Sequence, residues 1–250
     1  MSNNILFVFE GEKTEDLIIK SLKNSYLSEK IIITSAYCNT IYQFYKLISG
    51  DEDLDTFNLL KEIEVNKATL QDFTRSDFAE IYMFFDYDGH DTSASDDNII
   101  NLLGFFNNET EKGKLYISYP MVEALRHISE PETNFKDLKV ECKVNINYKK
   151  VVHDTCMKCY SQYKKYDEET WNSVICLHLM KMNYIVNGSY EYPNGNISQL
   201  DLFYSQQQKY INIDSTIGVL SSFPVFLFDY YGENLKAYHW FTSLSSTKLL

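Results

Sequence analysis

Four short apolar runs, each followed by a helical segment, constrain this chain more than any other feature. "ILFVF" (5–9), "KIIITSAYC" (30–38), "EIYMFFDYD" (80–88) and "KLYIS" (114–118) read as strands rich in β-branched and aromatic residues. Between and after them, 12–27, 40–49, 53–67, 94–108 and 120–129 read as helices. Thr14 is the expected N-cap of the first, and Pro120 is expected in the first turn of the last. Strands that alternate with helices predict an α/β fold, a mostly parallel sheet flanked by helices. That pattern stops near "SEPETNFK" (129–136), so the chain divides into an α/β core, 1–130, and a mainly helical C-terminal region, 131–250. The latter is a subdomain or an elaboration of the same core. There, 151–166, 169–186 and 197–212 read as helices, and "FPVFLFDYY" (223–231) as a strand or the start of a buried helix.

Two of the strands run abruptly into acids. Residues 5–9 lead into Glu10, Gly11, Glu12 and Glu15, and residues 80–85 lead into Asp86 and Asp88. Open α/β sheets bind ligands beyond the C-terminal ends of their strands. On an extended backbone, residues two apart face the same side, so Asp86 and Asp88 can address one ion, and Gly89 then lets the chain turn. Carboxylates on a rigid strand end suit Mg²⁺ or Mn²⁺, with positions left for water and phosphate oxygens. The alternative is a pair of solvated acidic turns.

The glutamate-glycine turn after the first strand, followed by Asp-x-Asp after a later one, resembles the TOPRIM domain. "EGEKTE" (10–15) is most similar to the RloB-like branch, related to the OLD-family nucleases of phage-defence systems. "LYISYPMVEALRH" (115–127) resembles the Asn-Pro-x-x-Glu segment of that branch, with Tyr119 in place of Asn. The resemblance spans about half of the chain. It implies a TOPRIM-like sheet and a metal-dependent nuclease, cutting DNA, tRNA or other RNA as the effector of a bacterial anti-phage system. It further implies an ABC- or SMC-type ATPase partner and a possible homodimer. By the same resemblance Glu10, Asp86 and Asp88 are catalytic and hold Mg²⁺ or Mn²⁺, with Glu15 and Glu123 as further metal ligands. A non-catalytic regulatory or interaction module of such a system is the second reading, and a small-substrate phosphate enzyme the third.

Composition bears on the partners. A formal net charge of -12 argues against coating nucleic acid through a basic face, although an acidic metal site contributes to that charge. Locally, "NYKKVVHDTCMKCYSQYKKY" (147–166) concentrates lysines among tyrosines. Lys149, Lys150, Lys164 and Lys165 are candidate phosphate contacts, with Tyr148, Tyr160, Tyr163 and Tyr166 available to stack on bases, or else buried beneath a solvated lysine face. His90 and Arg126 are further substrate-binding candidates. His153, Cys156, Cys159, Cys176 and His178 raise a zinc site, against which stands a helix burying small cysteines. Five cysteines, no leader-like N-terminus and no apolar stretch of membrane length suggest a cytoplasmic protein.

Overall fold

The computed structural model describes residues 4–27, 32–38, 42, 45, 46, 50, 55–90 and 95–247, with side chains to 243. The helix expected at 40–49 falls largely outside them. The fold is α/β. Its main sheet has five strands: β1 (Asn4–Phe9), β2 (Ile32–Tyr37), β3 (Glu80–Asp86), β4 (Asn107–Asn108) and β5 (Gly113–Ser118). Their spatial order is β2-β1-β3-β5-β4, parallel except for β4, a two-residue antiparallel edge. The chain leaves β1 outward to β2 and returns to lay β3 on the other side of β1. The crevice between the ends of β1 and β3 is therefore the sheet's topological switch point, where ligands of open α/β sheets bind.

Helices α1 (Lys13–Ser25), α2 (Thr56–Glu62), α3 (Glu64–Leu70) and α4 (Asp96–Phe105) belong to this half. The single helix expected at 53–67 is two, because Ile63 adopts an extended conformation (ψ 125°) that stops one and starts the next. Helix α1 begins at Lys13 after Glu12 rather than from a Thr14 cap. No helix runs from Pro120. The Tyr119–Pro120 bond is cis, and a short 3₁₀ turn, Val122–Arg126, follows.

Beyond residue 135 lie α5 (Tyr148–Thr155), α6 (Glu168–Asn187), α7 (Gln199–Gln206), α8 (Ser222–Tyr231) and α9 (Lys236–Thr247). A two-stranded ribbon of β6 (Lys139–Glu141) and β7 (Thr216–Gly218) accompanies them. The helix expected at 151–166 ends at Thr155. Cys156 turns extended (ψ 145°), and two 3₁₀ turns, 158–160 and 163–165, replace the remainder. Helix α7 passes into a π turn, Gln207–Ile211. The segment at 223–231 resolves as helix, buried from Ser222 to Phe228.

Helix α8 closes one face of the sheet through aromatic rings. Phe84 of β3 stacks on Phe223 at 4.7 Å with planes 6° apart. Phe226 packs edge-on against Phe7 of β1 at 5.2 Å and against Phe84 at 5.3 Å. Alternation along the strands sends Leu6, Val8, Met83 and Phe85, all buried, to the other face. Strands β1, β3 and β5 are buried along most of their length, which explains why they read as continuous apolar runs, whereas β2, at the sheet's edge, is only partly buried.

Candidate metal centre

Register brings the acidic ends together. Phe9 pairs with Phe84, so the residue after β1 lies level with the last residues of β3. The backbone N–H of Asp86 donates to Glu10 Oε2 at 3.4 Å. Glu10, Asp86 and Asp88 each present a carboxylate oxygen, and these oxygens lie within 4.8 Å of one another. Among the described residues this is the one group of three or more Asp, Glu, His or Cys side chains so placed.

The Asp-x-Asp geometry differs from the expected extended pair. Strand β3 ends at Asp86, and Asp88 sits at φ +40°, a left-handed conformation that Asp tolerates better than most residues. The turn therefore begins at Asp88, one residue before Gly89. Gly89 serves close approach instead: a Cβ there would stand 2.4 Å from the Tyr87 ring and 2.8 Å from the Cys142 carbonyl oxygen. Tyr87 is buried and its hydroxyl donates to Asp96, so the ring cannot easily withdraw.

Two more carboxylates stand beside the trio. Glu15, in the first turn of α1, is 7% exposed, and Glu123, in the turn after β5, is 4% exposed. Gly11 makes room for the first, since a Cβ at Gly11 would meet both Glu15 carboxylate oxygens at 3.3 Å. Lys149 Nζ lies 3.7 Å from Glu123 Oε1, while Glu123 Oε2 is buried without a hydrogen-bond partner among the described residues. All of these except Glu123 line one cleft of about 540 Å³, together with Glu12, Lys13, Thr14, Met121 and Val122.

The electrostatics follow from this crowding. Burial pushes the Asp86 carboxyl well above the usual carboxylate range, and Glu10, Asp88, Glu15 and Glu123 push it further. Burial also raises Glu15; backbone N–H groups of Glu15 and Gly11 and the Lys149 ammonium oppose the shift, and Glu123 adds to it. Several carboxylates sharing so little water favour either a proton or a cation. The all-oxygen donor set suits a hard divalent ion.

The other candidates are distributed differently. His90 is exposed on the turn after Asp88. Arg126 donates to the Ser161 carbonyl at 3.0 Å and lies 5.8 Å from the Tyr163 ring centroid, tying the 158–165 turns to the core. Lys150, Lys164 and Lys165 are exposed, and of the four lysines named from the sequence only Lys149 lines the cleft. Base stacking by the tyrosines does not survive: Tyr148, Tyr160, Tyr163 and Tyr166 are all buried. The residues of the zinc reading do not assemble into such a group among the described residues. His178 is a core side chain instead. Its Nδ1 accepts from the Ser221 N–H at 3.1 Å, and its Nε2 faces the Leu125 carbonyl at 3.2 Å. Lys13, an unremarkable lysine in the sequence, lines the cleft, and His127 and Tyr148 form a buried pair (2.9 Å) that the sequence does not announce. Only the proximity of His127 to Glu123 in sequence hinted at the latter.

No family model, no curated protein and no solved structure matches this chain. No helix among the described residues is long and apolar enough to cross a membrane.

Proposed function

We propose that this protein is a divalent-metal-dependent nuclease with a TOPRIM-like core. The observation that supports this most is the Glu10/Asp86/Asp88 trio, gathered within 4.8 Å at the switch point of a parallel sheet. Glu10, Asp86 and Asp88 would hold Mg²⁺ or Mn²⁺. The ion supplies charge neutralisation at a phosphoryl centre and lowers the pKa of coordinated water. The chain's own residues orient and enclose. Gly11 leaves room for Glu15 beside the trio, and the open N-terminal turn of α1 and Lys13 would offer donors toward a phosphate at the cleft. Glu10 would take a proton from an attacking water. The substrate would be DNA, tRNA or other RNA. In this reading the protein is a cytoplasmic effector of a bacterial anti-phage system, working with an ABC- or SMC-type ATPase, and a homodimer is compatible with that role.

The test is cleavage of a panel of supercoiled DNA, single-stranded DNA and total tRNA in Mg²⁺ or Mn²⁺. Wild type should cut at least one class, and the Asp86→Asn/Asp88→Asn variant none. A second reading, a non-catalytic module of the same system, draws on the net charge of -12 and on a cleft whose described lining holds only Lys13 and Lys149 as cations. Metal binding without cleavage of any class, alone or with its ATPase partner, would favour it.

A further inference from the structure

The five carboxylates of the site do not form one group. Glu10, Asp86 and Asp88 converge, whereas Glu15 and Glu123 lie outside that group of oxygens. Both outlying side chains are more than nine-tenths buried. Each adds negative potential at Asp86, and Glu123 adds it at Glu15. One oxygen of Glu123 has no hydrogen-bond partner among the described residues. Buried carboxylates this near one another call for positive charge nearby, because an unpaired buried charge is far costlier than a paired one.

Among the described residues, Lys149 is the cation that ion-pairs with Glu123. Lys149 comes from the first turn of α5, and its ammonium stands 3.7 Å from Glu123 Oε1. Its field also favours the ionised form of Glu15. A divalent ion bound by the same two glutamates would meet this ammonium at close range, and the two positive charges exclude each other.

We propose that Lys149 takes the position of a second divalent cation, so that the site holds a single ion. That ion belongs to Glu10, Asp86 and Asp88. The Lys149 ammonium neutralises Glu15 and Glu123, and because 64% of the side chain is solvent-accessible it can also meet a phosphate oxygen at the cleft. Glu15 and Glu123 then act on Lys149 rather than on a metal. This inference rests on the reading of the trio as a cation site.

Counting Mn²⁺ tests it. The full chain, stripped with chelator, is titrated with Mn²⁺, and the free ion is followed by electron paramagnetic resonance. Circular dichroism confirms that each variant is folded. Wild type should bind one ion. Lys149→Met should bind two, the second more weakly, and Lys149→Met with Glu123→Gln should return to one. Lys149→Arg should stay at one, and Lys149→Gln repeats the Met result should that variant fold poorly. Two ions in wild type would overturn the role of Lys149 and leave the trio standing. One ion in both Lys149→Met and Lys149→Gln would overturn it as well. No ion in wild type would remove the trio reading and this inference together.

Discussion

Phe84 and Asp86 are two residues apart on β3, yet they sit in opposite kinds of environment. Phe84 packs among Phe7, Phe9, Tyr116, Phe223 and Phe226, with centroids 4.7–5.8 Å away. These contacts are between ring faces and edges, and burial favours the arrangement. Asp86 shares its surroundings with Glu10, Asp88, Glu15 and Glu123, so both burial and neighbours oppose its charge. The same strand thus carries a seam that stabilises the fold and a tip that destabilises it without a partner. Such a contrast is expected of functional sites, which depart from what packing alone would select.

The contrast can be broken from either side. Phe84→Ala should have the largest effect, removing the centre of the ring cluster and costing about 3–5 kcal/mol in urea unfolding. At the tip the sign reverses. In chelator, Asp86→Asn with Asp88→Asn should raise stability by about 1–3 kcal/mol by relieving repulsion, and Mn²⁺ should no longer shift the melting temperature. A loss of stability in chelator would mean that the carboxylates hold the turn rather than oppose it.

Backbone geometry gives an intermediate effect. Gly89→Ala drives a Cβ into the Tyr87 ring and the Cys142 carbonyl, and should cost about 1–3 kcal/mol while weakening Mn²⁺ affinity by displacing Asp88. Gly11→Ala meets only the two oxygens of Glu15, so its cost should stay below about 1 kcal/mol.

A pH titration separates the core from the tip. Burial lowers the His178 pKa from 6.5 to about 3, so an unfolded chain takes up that proton first as pH falls. At His178 the unfolded state binds more protons throughout that interval, so this group's contribution to stability declines from about pH 6.5 downward, while the raised carboxyls of Asp86 and Glu15 act in the opposite sense. His127, lowered to about 4, adds to the same decline. His178→Gln should flatten most of the slope, at a cost of about 1–3 kcal/mol at neutral pH from its broken hydrogen bonds. The smallest effect belongs to the exposed Glu64–Lys67 pair: Glu64→Gln should change stability by less than about 0.5 kcal/mol.

The sheet was legible because its inner strands β1, β3 and β5 are buried along most of their length, and runs such as Ile5–Phe9 have no other simple reading. The acidic trio was legible because a carboxylate directly after such a run has few places to go but the sheet's edge. What escaped was set by long-range contact. The left-handed Asp88, the extended Ile63 and Cys156 that break two expected helices, and the cis Tyr119–Pro120 bond carry no distinct local signal. Tyr163 and Lys164 look alike in a polar, aromatic stretch, and only packing of the Tyr163–Lys165 turn against α1 buries one and exposes the other. His178 and Cys176 suggested metal by residue type, but a long helix in the core uses them as packing and hydrogen-bonding groups.

The central claim is that the ends of β1 and β3 together form a cation site. Isothermal titration of Mn²⁺ into chelator-stripped protein tests it most directly, with wild type beside Asp86→Asn/Asp88→Asn. Saturable binding by wild type that disappears in the variant is the predicted result. Absence of binding by wild type, or equal binding by both proteins, would contradict it.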